Sequence, residues 1–108
     1  MGHYIKKINA DTQSFLENLS QEKLSISNLI KTLRESEGMS QVDFAKELSI
    51  TRQRLCDIEH GRSRISPRMA AEFAKKLGYS ESQFVRLALQ DILERDHLSY
   101  RIELEEAA

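Results

Sequence analysis

Several things are scarce or missing in this chain, and each absence removes a class of function. There is one cysteine, Cys56, so no internal disulfide can form, and a lone thiol fits a reducing cytoplasm. No run of about 18 apolar residues occurs, so no segment reads as a membrane span. The start, MGHYIKKINADT, has two lysines but no apolar stretch behind them, which excludes a secretory leader. Gly2 lacks the downstream Ser or Thr that myristoylation needs. There is no Gly-rich phosphate loop, no HExxH and no nucleophile elbow, so no catalytic residue, cofactor or enzyme activity is expected. His3, His60 and His97 are scattered without metal-ligand spacing, and no metal site is expected. Repeats and low-complexity linkers are absent too. A chain of 108 residues without them reads as one domain with a modest core.

An excess of positive charge is also missing, since the formal net charge is −1. That balance looks wrong for a protein that binds nucleic acid, but the charge is unevenly distributed. Residues 40–78 hold eight Lys/Arg against five Asp/Glu, a net of +3. Residues 94–108 hold two against five, a net of −3. Phosphate attraction is governed by the local patch, not by the total.

The densest information lies in residues 40–61, SQVDFAKELSITRQRLCDIEHG. Ser40 is a good N-cap, and Asp43 three residues on completes a capping box. Phe44, Ala45 and Leu48 share one face of the helix that follows. Thr51 can cap a second helix, in which Leu55 and Ile58 face inward together. Arg52, Gln53, Arg54 and Asp57 fall on the outward arc. Gly61 can end that helix in the left-handed conformation. Polar side chains able to bond base edges are thus gathered at a helix start. The same trio could be an ordinary solvated face, and only the surrounding pattern argues otherwise.

That joint pattern of Gln41, Phe44-Ala45, Leu48, Ile50, Leu55, Ile58-Glu59 and Gly61 resembles the Cro/CI-type, Xre-like helix-turn-helix of phage repressors. The resemblance spans about residues 25–78. It implies an all-α fold of five helices, with the third entering the major groove of double-stranded DNA. Carried over by position, it implies base contacts from Arg52, Gln53 and Asp57, with Arg54 close by as a further base contact. It implies phosphate contacts from Gln41 and Thr51, and from His60, Arg62 and Arg64 in the loop after the recognition helix. Arg68 joins them on charge, because three arginines in seven residues beside such a helix favour phosphate binding. One departure stands out. The turn usually carries glycine where this chain has Ser49; either the serine accepts the left-handed conformation at some cost or the turn differs slightly. Asp57 has a second reading, as an ion-pair partner of Arg54. Glu59 is expected to orient a neighbouring arginine. Cys56 reads as a packing residue, with a redox sensor as the alternative.

The remaining residues divide into an N-terminal extension (1–24), the helix-turn-helix core (25–78) and a C-terminal part (79–108). The extension holds an extended start at residues 5–8 and an extra helix at 11–19 with Phe15, Leu16 and Leu19 on one face. Ser25 or Ser27 caps the next helix, whose Ile26, Leu29, Ile30 and Leu33 keep helical spacing. Ser66 caps another, with Pro67 at its first position, where a missing N–H does no harm. Ser80 with Gln83 starts a long helix to about Asp96, carrying Phe84, Leu87, Leu89 and Leu93.

The tail, LSYRIELE, alternates strictly, with Leu98, Tyr100, Ile102 and Leu104 apolar. That is strand periodicity, so a short C-terminal β-strand is expected. A strand needs a partner for its backbone, either residues 3–8 or the same strand of a second subunit. A strand after the helices is similar to the HipB-type antitoxins, where it pairs across a dimer axis. The expected dimer surface is therefore Phe84, Leu89 and Leu93 with Leu98, Tyr100, Ile102 and Leu104. Two functions stay open. One is a cytoplasmic, homodimeric transcription regulator, most simply a repressor. The other is an antitoxin that binds and neutralises a toxin protein and regulates its own operon. No separate ligand domain follows residues 25–78, so a role in sensing an inducer is not expected.

Overall fold

The structure, a computed structural model, describes residues 25–107. The expected extended start at 5–8 and the extra helix at 11–19 lie outside the described residues. Five helices make up the described part: α1 (Ile26–Ser36), α2 (Gln41–Leu48), α3 (Arg52–Glu59), α4 (Pro67–Leu77) and α5 (Glu81–Arg95).

Each helix begins at a hydroxyl that accepts the backbone N–H three residues on. Ser25 serves Asn28 at 3.0 Å, Ser40 serves Asp43 at 3.1 Å and Thr51 serves Arg54 at 3.0 Å. Ser66 serves Met69 at 3.1 Å and Ser80 serves Gln83 at 3.3 Å. A cap of this kind contributes about 1 kcal/mol. Ser25, not Ser27, caps α1, and Ser27 is buried under the first turn.

The apolar faces converge on one core. Ile30, Leu55, Ile58, Ala70, Ala74 and Ala88 are fully enclosed. Phe44, Phe73 and Phe84 supply its bulk. The small residues Ala70, Ala74 and Ala88 let α4 and α5 approach closely. Phe84, Leu87 and Ala88 belong to the same core as α1 to α4, so burial runs continuously across the expected boundary at residue 78. No described helix is long and apolar enough to cross a membrane.

The expected C-terminal strand is not seen among the described residues. The helix α5 ends with His97 in the left-handed region (φ 59°). Leu98 N–H returns to the Leu93 carbonyl at 2.9 Å and reverses the chain. The tail then runs back along α5, where the side-chain amide of Gln90 takes two of its backbone groups. Nε2 donates to the Tyr100 carbonyl at 2.6 Å, and Oε1 accepts from the Ile102 N–H at 2.8 Å. Alternation predicts a strand, and none forms among the described residues. A strand requires a second backbone beside it, and a single glutamine stands there instead.

Candidate nucleic-acid interface

The turn between α2 and α3 sets the position of every outward side chain. Ser49 occupies the left-handed region (φ 61°, ψ 40°), where the strain falls on a residue with a Cβ. Its N–H bonds the Lys46 carbonyl at 3.1 Å, and Ile50 N–H bonds the Ala45 carbonyl at 3.0 Å. Lys76 reaches from α4 to donate to the Leu48 carbonyl at 3.2 Å. The end of α2 is thus satisfied and its angle to α3 held. Leu55 and Ile58, both 0 % exposed, lock the inner face of α3. Arg52, Gln53 and Arg54 are left exposed together at its start.

The other end of α3 is anchored by an ion pair. The Glu59 carboxylate, 2 % exposed, accepts from Arg34 Nε at 2.7 Å and Nη2 at 3.1 Å. Arg34 Nη1 also donates to the Met39 carbonyl at 3.0 Å, and Gln41 Nε2 donates to Glu59 at 3.0 Å. One network therefore ties α1, the α1–α2 turn, α2 and α3. The bond to Glu59 raises the Arg34 guanidinium above its ordinary value, against the opposing effect of burial. Among the described residues no buried side-chain N or O lacks a partner.

Asp57 lies between these ends. Its Oδ1 accepts from Gln53 Nε2 at 3.1 Å and from Arg62 Nε and Nη2 at 3.2 and 3.0 Å. The alternative pairing of Asp57 with Arg54 is not formed; Arg54 Nη2 donates instead to the Met69 sulfur at 3.3 Å. Arg62 fits Asp57 better because the chain doubles back after Gly61 (φ 74°), with Arg62 N–H on the Asp57 carbonyl at 2.8 Å. The bond to Asp57 raises the Arg62 guanidinium above its usual value. One hydrogen of the Gln53 amide is held by Asp57. Its second hydrogen and its oxygen make no hydrogen bond among the described residues.

Residues 30–84, just over half of the chain, match the model of the helix-turn-helix family, the Cro/CI-like or Xre group. The chain belongs to this family. It is accordingly a DNA-binding transcription regulator. No curated protein and no solved structure gives a significant match to the chain.

In this helix-turn-helix protein the other expected residues fall as follows. Thr51 is exposed, but its hydroxyl oxygen is engaged in capping α3. Gln41 is half-buried on Glu59, with one amide hydrogen to spare. His60 ends α3 and holds the Cys56 carbonyl through Nδ1 at 2.8 Å. A carbonyl only accepts, so Nδ1 carries the hydrogen and Nε2 is left for another partner. Arg64 and Arg68 are exposed and make no hydrogen bond or ion pair among the described residues. Cys56 is half-buried, 3.6 Å from His60 Nδ1 and 3.8 Å from Arg62 Nη2.

The expected dimer residues do not form one uniform set. Phe84 is 2 % exposed and stacks on Tyr79, with ring centroids 6.1 Å apart, so its side chain is spent inside the subunit. Leu89, Leu93 and Ile102 are half-buried, while Leu98, Tyr100 and Leu104 are exposed. Three residues that matter here carried no sequence signal strong enough to single them out: Arg34, Lys76 and Gln90. Arg34 was the most accessible of them. A glutamate among apolar inward positions, as Glu59 is, requires a cation, and Arg34 directly follows the buried Leu33.

Proposed function

We propose that the protein is a repressor that binds a near-palindromic operator as a homodimer and reads the major groove with α3. The observation that carries this reading is the fixed, outward start of α3. Arg52, Gln53 and Arg54 are exposed on a helix whose inner face and far end are both locked. An arginine there can pair bidentately with guanine O6 and N7, and a glutamine with adenine N6 and N7. Gln53 is suited to this, because Asp57 holds its amide and leaves one donor and one acceptor without a partner among the described residues. Asp57 itself acts through Gln53 and Arg62, although its second oxygen could accept from a cytosine amine.

Around this centre, His60, Arg62, Arg64 and Arg68 supply phosphate contacts, with Gln41 and Thr51 at the helix starts. Two subunits joined through α5 and the tail would set their α3 helices about 34 Å apart, one DNA turn. A dimer seated over such a site blocks other proteins from it, which is repression in its simplest form. Since the partner is DNA, the cytoplasm is the place of action.

Footprinting on the DNA upstream of its own gene identifies the operator. Arg52→Ala and Gln53→Ala should each cost about 1–3 kcal/mol on that site and relax preference at one base pair. Operator binding at wild-type strength by both variants would overturn the assignment of α3. The antitoxin reading differs in one observable respect: it requires a small toxin gene beside this one, and a stable complex with its product.

A further inference from the structure

We propose that Asp57 is a specificity-determining positioning residue. Through one carboxylate oxygen it couples the base-reading amide of Gln53 to the phosphate-binding guanidinium of Arg62, so that the pair grips the operator together and other DNA weakly. The inference rests on the reading of α3 proposed above and adds how two of its contacts are linked.

Gln53 and Asp57 are four residues apart and share one face of α3. Asp57 Oδ1 accepts from Gln53 Nε2 at 3.1 Å and from Arg62 Nε and Nη2 at 3.2 and 3.0 Å. The backbone of the same residue holds the loop. Its carbonyl accepts from the N–H of Arg62 at 2.8 Å and of Ser63 at 3.2 Å. Arg62 is therefore tied to Asp57 twice, by its own N–H and by its guanidinium. A long side chain ordered before binding has less freedom left to lose on binding. Neither bond exhausts its group. One amide hydrogen and the oxygen of Gln53, and both Nη1 hydrogens of Arg62, make no hydrogen bond among the described residues. Adenine needs one donor and one acceptor, and a phosphate needs only donors. Both can be bound without breaking the link at Asp57. If either donor is lost, the carboxylate can turn about its own side-chain bonds, and the other donor loses its setting. Gln53 and Arg62 are thus not independent.

Charge adds the discrimination. The Arg62 and Asp57 side chains are 57 % and 32 % exposed, so their ion pair lies at the surface. Arg52, Arg64 and Arg68 are tied to no carboxylate among the described residues. Those three attract any phosphate backbone. The charge of Arg62 is offset by its partner, so it adds little to the field that draws in DNA at large. It helps only where Nη1 meets a phosphate while Gln53 meets its base. Asp57 thereby lowers affinity for random DNA and leaves operator affinity in place. A base contact by Asp57 itself would use its other oxygen and act at one base pair alone.

The full chain is titrated with the footprinted operator and with a random duplex of equal length, each over a range of salt. Asp57→Ala should narrow the preference for operator over random DNA about tenfold or more. It should bind random DNA more tightly, with a salt dependence steeper by roughly one unit of slope. In the parent chain the operator losses from Gln53→Ala and Arg62→Ala should fall short of multiplying, by about threefold or more; with Asp57→Ala they should simply multiply. Asp57→Asn, which keeps an accepting oxygen without the charge, should raise random binding too and retain part of the coupling. Losses that multiply in the parent chain overturn the proposal. So does an Asp57→Ala that weakens operator and random DNA alike, as a merely structural residue would. An Asp57→Ala that relaxes one base pair with the coupling intact makes Asp57 a base reader and also overturns it. Each of these leaves α3 as the reading helix. Wild-type operator binding by both Arg52→Ala and Gln53→Ala overturns that reading, and this proposal with it.

Discussion

Removing Arg34 tests the frame on which α3 is mounted. In Arg34→Ala the Glu59 carboxylate, with 2 % of its side chain exposed, loses both bonds from the guanidinium and keeps only the one from Gln41. The Met39 carbonyl loses its donor as well. Leaving one charge of a buried pair without its partner costs about 3–5 kcal/mol. A domain of this size is stable by about 5–15 kcal/mol, so about a fifth or more of the total is at stake. Urea unfolding followed by far-ultraviolet circular dichroism measures it. The midpoint should fall sharply while the slope stays close to that of the parent. Replacing both partners with apolar residues, Arg34→Met with Glu59→Leu, removes the charge and the need for it together. That double variant should lose much less than either Arg34→Ala or Glu59→Ala. A loss below about 1 kcal/mol in Arg34→Ala would refute the reasoning. So would a double variant as unstable as the two single losses added.

Other outcomes follow from the same geometry. Ser49→Gly relieves left-handed strain at the turn and should stabilise the fold by roughly 0.5–1 kcal/mol after the entropy cost of glycine, read as a raised unfolding midpoint; an unchanged or lower midpoint would mean that Ser49 is not strained. Neutralising Arg64 or Arg68 should weaken binding to all DNA alike and flatten its salt dependence by roughly one unit of slope, whereas a sequence-selective loss would make them base readers. Burial first, and Glu37 second, push the Tyr79 hydroxyl up to about 12. Its contribution to stability should be intact below the ordinary tyrosine range near pH 10 and be lost as pH rises through about 12; phenolate absorbance of the chain against Tyr79→Phe checks this. Deleting residues 97–108 should leave a monomer or a weak dimer with most operator affinity gone, and sedimentation beside a mobility-shift assay decides it.

Much of the local architecture could be read from the sequence, because the signals are local. A hydroxyl before each apolar period marks a helix start by bonding an N–H three residues away. Ser40, Thr51, Ser66 and Ser80 needed no tertiary context for that. The spacing of Leu55 and Ile58 fixed which way Arg52, Gln53 and Arg54 face, since a helix that buries one side must expose the other. At Ser49 the sequence left open a strained left-handed serine or a different turn, and the structure has the left-handed one. Partners across the fold were a different matter. Nothing local ties Arg34 to Glu59, 25 residues apart, or Lys76 to the end of α2. Asp57 had Arg54 within reach on its own helix, yet bonds Arg62, because the chain reverses after Gly61. Alternation from Leu98 to Leu104 pointed to a strand that does not form among the described residues. A strand is a relation between two backbones, and only the packed chain showed Gln90 standing where one of them would be.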